Sequence, residues 1–474
     1  MRLRTYQKVV FFFFCFLLST VLHAEDPMVG QLEKTPFPEM RDPGVLKTTL
    51  PSGIKLYYLK DAELPVIKIK SSFEFGSVSE QKNERGLVDF FMSALRNGGT
   101  TTLKPSEVDQ IIEHHAAKIS GSAGAELSSL QMSTLQKHAD PMLKLYFDLI
   151  RHPGFDAGRV EVIRKAMLSD IERRNEEPMQ IASREFEQSL YGKDSPYAWL
   201  FTPETIQTLT IDDLRRFQEQ QLTPDHLWIA ATSPLEFADF QKLLQKFVGD
   251  WQARGVTRVG PKPLEKTWQQ SLEFIHKPGN QSAIVVGHFG DKRFNPDRYA
   301  IVLADQVLGG ETFGSRLGDR IRTELGLTYG VSSAFSFDTD YGSFEIATRT
   351  KSESTAQTVK EILTILRDMQ GNRPITEAEL HLAKERILNQ IIFEYDSPFN
   401  LVSTELYYDY FGYPPHYLSL FPKKIREVSL AETNAALTKY FFPDRLKILI
   451  VGDRDKIPDL KDLGAVTEIP LDNE

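Results

Sequence analysis

Apolar positions along the chain recur at two periods. Val66 to Phe75 alternates in part and predicts a strand, with a shorter strand around Ile54 to Leu59. Leu87, Phe90, Phe91, Ala94 and Leu95 then recur at helical spacing, and Ser106 to Ala116 predicts a second helix. Leu127 to Leu135 is strand-like, and a long helix runs from near Phe155 to about Asn175, where Glu176-Glu177-Pro178 ends it. Farther on, Ala283 to Phe289 predicts a strand and Pro296 to Leu308 a helix, and two strands follow Tyr329 through Phe335 and Ile346. Strands grouped with helices on one face make α+β the predicted class.

The pattern also repeats. Thr223-Pro224-Asp225-His226-Leu227 leads into the apolar run Trp228 to Ala231, and Phe442-Pro443-Asp444-Arg445-Leu446 leads into Lys447 to Val451, at an offset of 219 residues. The helix before each copy starts alike, with Thr210, Asp212 and Asp213 in one and Ser429 and Glu432 in the other. A hydroxyl with acids in the first turn is a capped helix N-terminus. The repeat predicts two homologous domains, 44–253 and 267–460, each a mostly antiparallel sheet with helices packed on one face. Gly and Pro cluster between them, so 254–266 is the predicted linker.

Composition narrows the class. Arg2, Arg4 and Lys8 precede an almost wholly apolar run, Val9 to Leu22, closed by Ala24. That order predicts a signal peptide over 1–24 and an exported chain, periplasmic or extracellular, soluble once the segment is removed. An uncleaved membrane anchor is the competing reading. Cys15 is the one cysteine and lies inside this segment, so the mature chain has no disulfide, thiolate nucleophile or cysteine-bound zinc. The net charge of −9, without a basic stripe, speaks against a nucleic-acid partner.

The chemistry centres on Gly86-Leu87-Val88-Asp89-Phe90-Phe91-Met92-Ser93, followed by Gly99-Thr100. This resembles the metal helix of the pitrilysin/insulinase family, the inverted zincins, whose pattern is G-L-A-H-F-L-E-H-M and then F-x-G-T. Two imidazoles four residues apart share a helix face and hold zinc, and the Glu between them takes a proton from the zinc-bound water. Here Asp89, Met92 and Ser93 stand at those three positions. The resemblance places the third ligand, a Glu, after 76 intervening residues. Residues 94 to 169 are those 76, and the position falls on Asp170. Met92 cannot accept a proton and Ser93 is a poor neutral ligand, so no zinc is expected in this chain. Asp89 and Asp170 are then carboxylates on a former metal face, or the alternative, oxygen ligands of a hard cation.

A second segment is similar to the same family. Gly309-Gly310-Glu311-Thr312-Phe313-Gly314-Ser315-Arg316-Leu317 leads into Ile321-Arg322-Thr323-Glu324-Leu325-Gly326-Leu327-Thr328-Tyr329, close to the family's G-G…S-R-L…R-E-x-x-G-L-x-Y, with Thr323 as the departure. The segment lacks G-x-x-x-x-G-K-[ST] and is no phosphate loop. The resemblance implies that Arg322 and Tyr329 are a substrate-binding pair. A phenol can donate to a developing oxyanion and a guanidinium to peptide carbonyls. The plainer reading makes Arg322 a helix-end ion pair and Tyr329 a half-buried strand residue. His114 and His115, as neighbours on a helix, diverge too far to share one metal, and Tyr407, Tyr408, Tyr410 and Tyr413 read as core and interface aromatics.

The resemblance covers roughly residues 44 to 460. It implies a non-hydrolytic subunit whose homologous partner carries H-x-x-E-H and the zinc, as in mitochondrial processing peptidase and two-chain bacterial members. Arg322 and Tyr329 would then act in trans on unfolded peptide, and the chain alone is not expected to be a peptidase. Two rivals stand beside this reading: an inert peptide-binding or scaffold protein of the same fold, and a hydrolase with an oxygen-ligated metal.

Overall fold

Two six-stranded sheets carry the fold. The computed structural model describes residues 42–256, 264, 269–458 and 460–471. The expected signal segment at 1–24 and most of the expected linker at 254–266 lie outside the described residues. The first sheet uses β1 (Leu46–Thr49), β2 (Lys55–Lys60), β3 (Val66–Phe73), β4 (Lys118–Ser122), β5 (Ser128–Leu135) and β6 (Leu227–Ser233), in the order β1-β2-β6-β3-β5-β4. The second half supplies β7 (Ser271–His276), β8 (Gln281–Phe289), β9 (Asp291–Lys292), β10 (Thr328–Phe335), β11 (Phe337–Asp338), β12 (Ser343–Lys351), β13 (Lys447–Gly452) and β14 (Thr467–Glu468). Its sheet runs β10-β12-β8-β13-β7-β14, while β9 and β11 pair separately.

The two sheets share one wiring. β2, β6, β3, β5 and β4 occur in the same spatial order as β7, β13, β8, β12 and β10. The last repeated strand lies parallel to the first in each, with Lys55 opposite Trp228 and Ser271 opposite Lys447. Trp228 and Lys447 are the positions that the 219-residue offset equates. Both helix caps form: Thr210 accepts the Asp213 amide at 3.2 Å, and Ser429 accepts the Glu432 amide at 3.2 Å.

Each sheet has one face against helices of its own half. In the first half, Leu56, Tyr58, Ile67, Ile69, Leu130 and Met132 share a core with Phe90, Phe91, Leu143 and Tyr146 from helices Leu87–Asn97 and Ala139–Arg151. Strand alternation sends Tyr57, Trp228 and Ala230 to the opposite face. There they meet Val402 and Leu406 of helix Pro398–Tyr410, which belongs to the second half. The second sheet is treated the same way. Helix Pro178–Tyr191, from the first half, puts Ile181, Ala182, Phe186 and Leu190 against Ala283, Val285, Phe289, Leu449 and Val451. The two halves thus exchange one helix each. Polar rims fasten the exchange: Lys47 reaches Glu405 at 2.7 Å and Asp409 at 2.8 Å, and Lys447 donates to Ser189 at 3.1 Å.

Candidate functional site

The degenerate metal helix, Leu87–Asn97, begins at Gly86, whose φ is +88°. A Cβ there would lie 2.8 Å from Ile206 and from Phe201, so only glycine fits the turn. Glycine has no side chain to cap the helix. Glu80 does so instead, accepting the Gly86 amide at 3.0 Å and the Val88 amide at 2.7 Å. Glu80 carries chemistry that the motif comparison missed; the signal was a helix that starts on a residue unable to cap.

Of the former zinc-site positions, Met92, at the proton-accepting Glu, is buried in the core, beside Gly121 of β4. Ser93 is half-buried, and its carbonyl takes the Asn97 side-chain amide at 2.9 Å. Asp89 is half-buried, and burial raises its carboxyl above the ordinary aspartate range while its own backbone amide pulls the other way. Asp170 sits on helix Ala157–Arg173, where Met167 and Ile171 turn to the core and Asp170 turns out, 3.0 Å from Arg173. Among the described residues no group of three or more His, Cys, Asp or Glu side chains is placed to hold a metal ion. The zinc of the inverted zincins does not fit these residues: of the three ligand positions, one holds the neutral hydroxyl of Ser93 and one the carboxylate of Asp170, which arginine engages at the surface.

The second segment is built differently. Arg316 forks onto Glu379 at 2.7 and 2.8 Å and donates to the Pro374 carbonyl at 2.7 Å. This clamps the glycine-rich segment to helix Glu377–Ile391. Burial works against the Glu379 charge, but Arg316 and Thr376 hold its carboxyl down to about 2. Gly318 to Glu324 then winds as a π-helix, and the Leu325 amide closes back on Arg320 at 3.1 Å. A Cβ on Gly318 would stand 1.8 Å from the Thr312 carbonyl, so the close approach of segment and helix requires glycine.

Arg322 leaves that helix and its Nε donates to the Tyr329 carbonyl at 2.9 Å. Its guanidinium lies 4.2 Å over the ring of Phe313, a stacking partner that the motif did not single out. Tyr329 sits at a bulge, since β10 spends three steps from Thr328 to Val331 where β12 spends two from Thr350 to Thr348. A bulge re-aims a side chain, and Tyr329 is 92% exposed. Thr328 and Thr348 hold the bulge, each donating to the Gly330 carbonyl at 2.8 Å. The structure therefore joins Arg322 to Tyr329 through backbone, with the phenol open to solvent. It engages Asp170 with Arg173, not with Asp89.

Residues 61–203 match the insulinase (peptidase family M16) profile, and residues 208–387 match the peptidase M16 inactive domain. The chain belongs to the M16 insulinase family. It is similar to the non-peptidase homolog YmxG of Helicobacter pylori, 24% identical over 413 residues, or 85% of this chain and 93% of that one. It is also similar to the uncharacterized zinc protease YmxG of Bacillus subtilis, 24% identical over 358 residues, 74% of this chain and 85% of that one. Its fold matches the peptidase M16 inactive domain from Pseudomonas fluorescens, with TM-score 0.78, 24% identity, and 90% and 100% of the two chains covered. It matches the periplasmic protease PqqL of Escherichia coli with TM-score 0.73 and 15% identity, over 89% of this chain and 48% of PqqL.

Proposed function

We propose that this chain is the non-hydrolytic subunit of a two-chain M16 zinc metallopeptidase, holding unfolded peptide for a homologous partner that carries H-x-x-E-H and zinc. One observation carries the reading: the losses are selective. Met92 is packed into the core and Asp170 is tied to Arg173, whereas Arg322, Phe313 and Tyr329 form an ordered surface group. The bond to Tyr329 uses only Nε of Arg322, so its terminal nitrogens are available to peptide carbonyls. The exposed phenol of Tyr329 suits a developing oxyanion, which the partner's zinc-bound hydroxide would create. That this fold spans about half of PqqL supports a peptidase built from two such units. The basic and apolar N-terminal pattern supports export to the periplasm or beyond.

The rival, an inert peptide-binding or scaffold subunit, draws support from the name of the Helicobacter pylori relative, a non-peptidase homolog. Purified chain, alone and with its zinc-bearing partner, separates the two in a peptide-cleavage assay. Tyr329→Phe and Arg322→Ala should each slow cleavage by the pair about 100-fold, the scale for losing an oxyanion donor. An unchanged rate rejects action in trans. Chelator-sensitive hydrolysis by the lone chain would instead reject the dismantled zinc site.

A further inference from the structure

The exchanged helix Pro398–Tyr410 does more than cover the first sheet. Between them and the second half lies a cavity of 340 Å³. Lys70, Ser72 and Ser129 line it from the sheet, Ser403 from the helix and Arg293 from the second half. Strand alternation dictates the placement of Lys70. Its neighbours Ile69 and Ser71 are buried on the core face, so Lys70 projects outward, in register between Gln131 of β5 and Ala230 of β6.

Among the described residues nothing neutralises this lysine. Burial lowers its ammonium below the ordinary lysine range. Among the described residues no carboxylate lies within ion-pair distance of it. The acids that share the cavity are engaged elsewhere. Asp338 lies 2.7 Å from Arg293, and Glu126 accepts from Thr339 at 2.8 Å and lies 3.9 Å from Arg293. Two further donors are shielded and unused: Arg293 Nε, in a residue only 5% exposed, and Ser403 Oγ have no hydrogen-bond partner among the described residues. A half-buried cation with no counter-ion costs stability unless an anion completes it.

We propose that this cavity binds a carboxylate group of the peptide held by the chain, with Lys70 as its counter-ion and the serine hydroxyls as hydrogen-bond donors. The inference rests on the peptide-holding reading above and names what that peptide must carry. One lysine matches one negative charge. Glu126 and Asp338 nearby disfavour a doubly charged phosphate. A second cavity, of 620 Å³, shares Glu126, Arg293 and Phe411 with the first and gives the adjoining peptide room to continue.

The test is binding of labelled unfolded peptides to the full chain by fluorescence anisotropy. Three matched peptides are needed: one with a glutamate and an amidated C-terminus, one with glutamine and an amidated C-terminus, and one with glutamine and a free C-terminus. At least one carboxylate peptide should bind about ten-fold tighter than the neutral one, as expected for hydrogen bonds to a charged group. Which of the two does so separates a side-chain from a terminal carboxylate. Lys70→Met should abolish that preference without weakening the neutral peptide, and Lys70→Arg should retain it. Thermal melting should show Lys70→Met at least as stable as wild type, since it removes an unpaired cation. A preference that survives in Lys70→Met, or its absence in wild type, overturns the inference while peptide holding stands. Failure of all three peptides to bind overturns peptide holding and the carboxylate site with it.

Discussion

At the scale of residues, two carboxylates tie the site segments to the fold, and they titrate in opposite senses. Burial pushes Glu80 up to about 7, against the pull of the Val88 and Gly86 amides and with a further push from Asp89 and Glu84. A folded value above the ordinary 4.5 means that the folded state holds the proton more tightly. The contribution is therefore complete below about pH 4.5 and is lost as pH rises through about 7, roughly 3 kcal/mol in all. Denaturant midpoints of wild type should fall between pH 5 and pH 8. Glu80→Gln keeps an acceptor for the cap and should fall less; a slope equal to wild type would clear Glu80 of the effect. Some slope will remain, because burial also raises Asp305 to about 6, against its bonds from Ser333 and Phe335. Glu379 behaves oppositely. Its carboxyl is held near 2, so its contribution is present above about pH 4.5 and fades as pH falls toward 2. With a third of that side chain exposed, Arg316→Ala should cost about 1–2 kcal/mol at pH 7 and much less at pH 2, by urea melts at both. Arg316 was legible in the sequence only as one letter of S-R-L, because its partner Glu379 is 63 residues away.

At the scale of elements, what the sequence announced was periodicity, and what it withheld was address. The helix at Leu87, the alternation of β3 and the two capped helix starts follow from local chemistry, and each forms. Helix Pro178–Tyr191 was not distinguished, because its apolar stripe says that it must be covered but not by which sheet. The π-helix that presents Arg322 and the bulge that turns out Tyr329 were equally hidden, the bulge because it depends on pairing with β12 farther along the chain. The outward turn of Asp170 depends on how its helix rolls against the core. The exchange yields a prediction that sequence order alone would contradict. Phe186 lies in the first half but packs on the second sheet. Phe186→Ala should cost about 3–5 kcal/mol. Hydrogen exchange should quicken more in β8 and β13 than in β3 and β5. Equal quickening in both sheets would show that the helix does not belong energetically to the second.

At the scale of the whole molecule, the exchange decides whether either half can stand alone. Burying Ile181, Phe186 and Leu190 against the second sheet is worth at most ~5–9 kcal/mol, taking the usual gain for each large apolar side chain. That is the size of a typical domain's entire net stability. A fragment spanning 44–253 would hold helix Pro178–Tyr191 with no sheet beneath it. It would also bare Tyr57, Trp228 and Ala230, the face that Val402 and Leu406 cover in the intact chain. The fragment should therefore bind a hydrophobic dye and self-associate on gel filtration, although its own core is complete on the other face. Adding the 267–460 fragment should suppress dye binding, restore a single heterodimeric species and shift Trp228 emission to the blue as Tyr410 covers the indole. Cooperative, dye-free folding of 44–253 alone would mean that the exchange is ornament. If instead the fragments need each other, the degenerate metal helix and the Arg322 segment belong to one cooperative unit. That property suits the peptide-holding role proposed above.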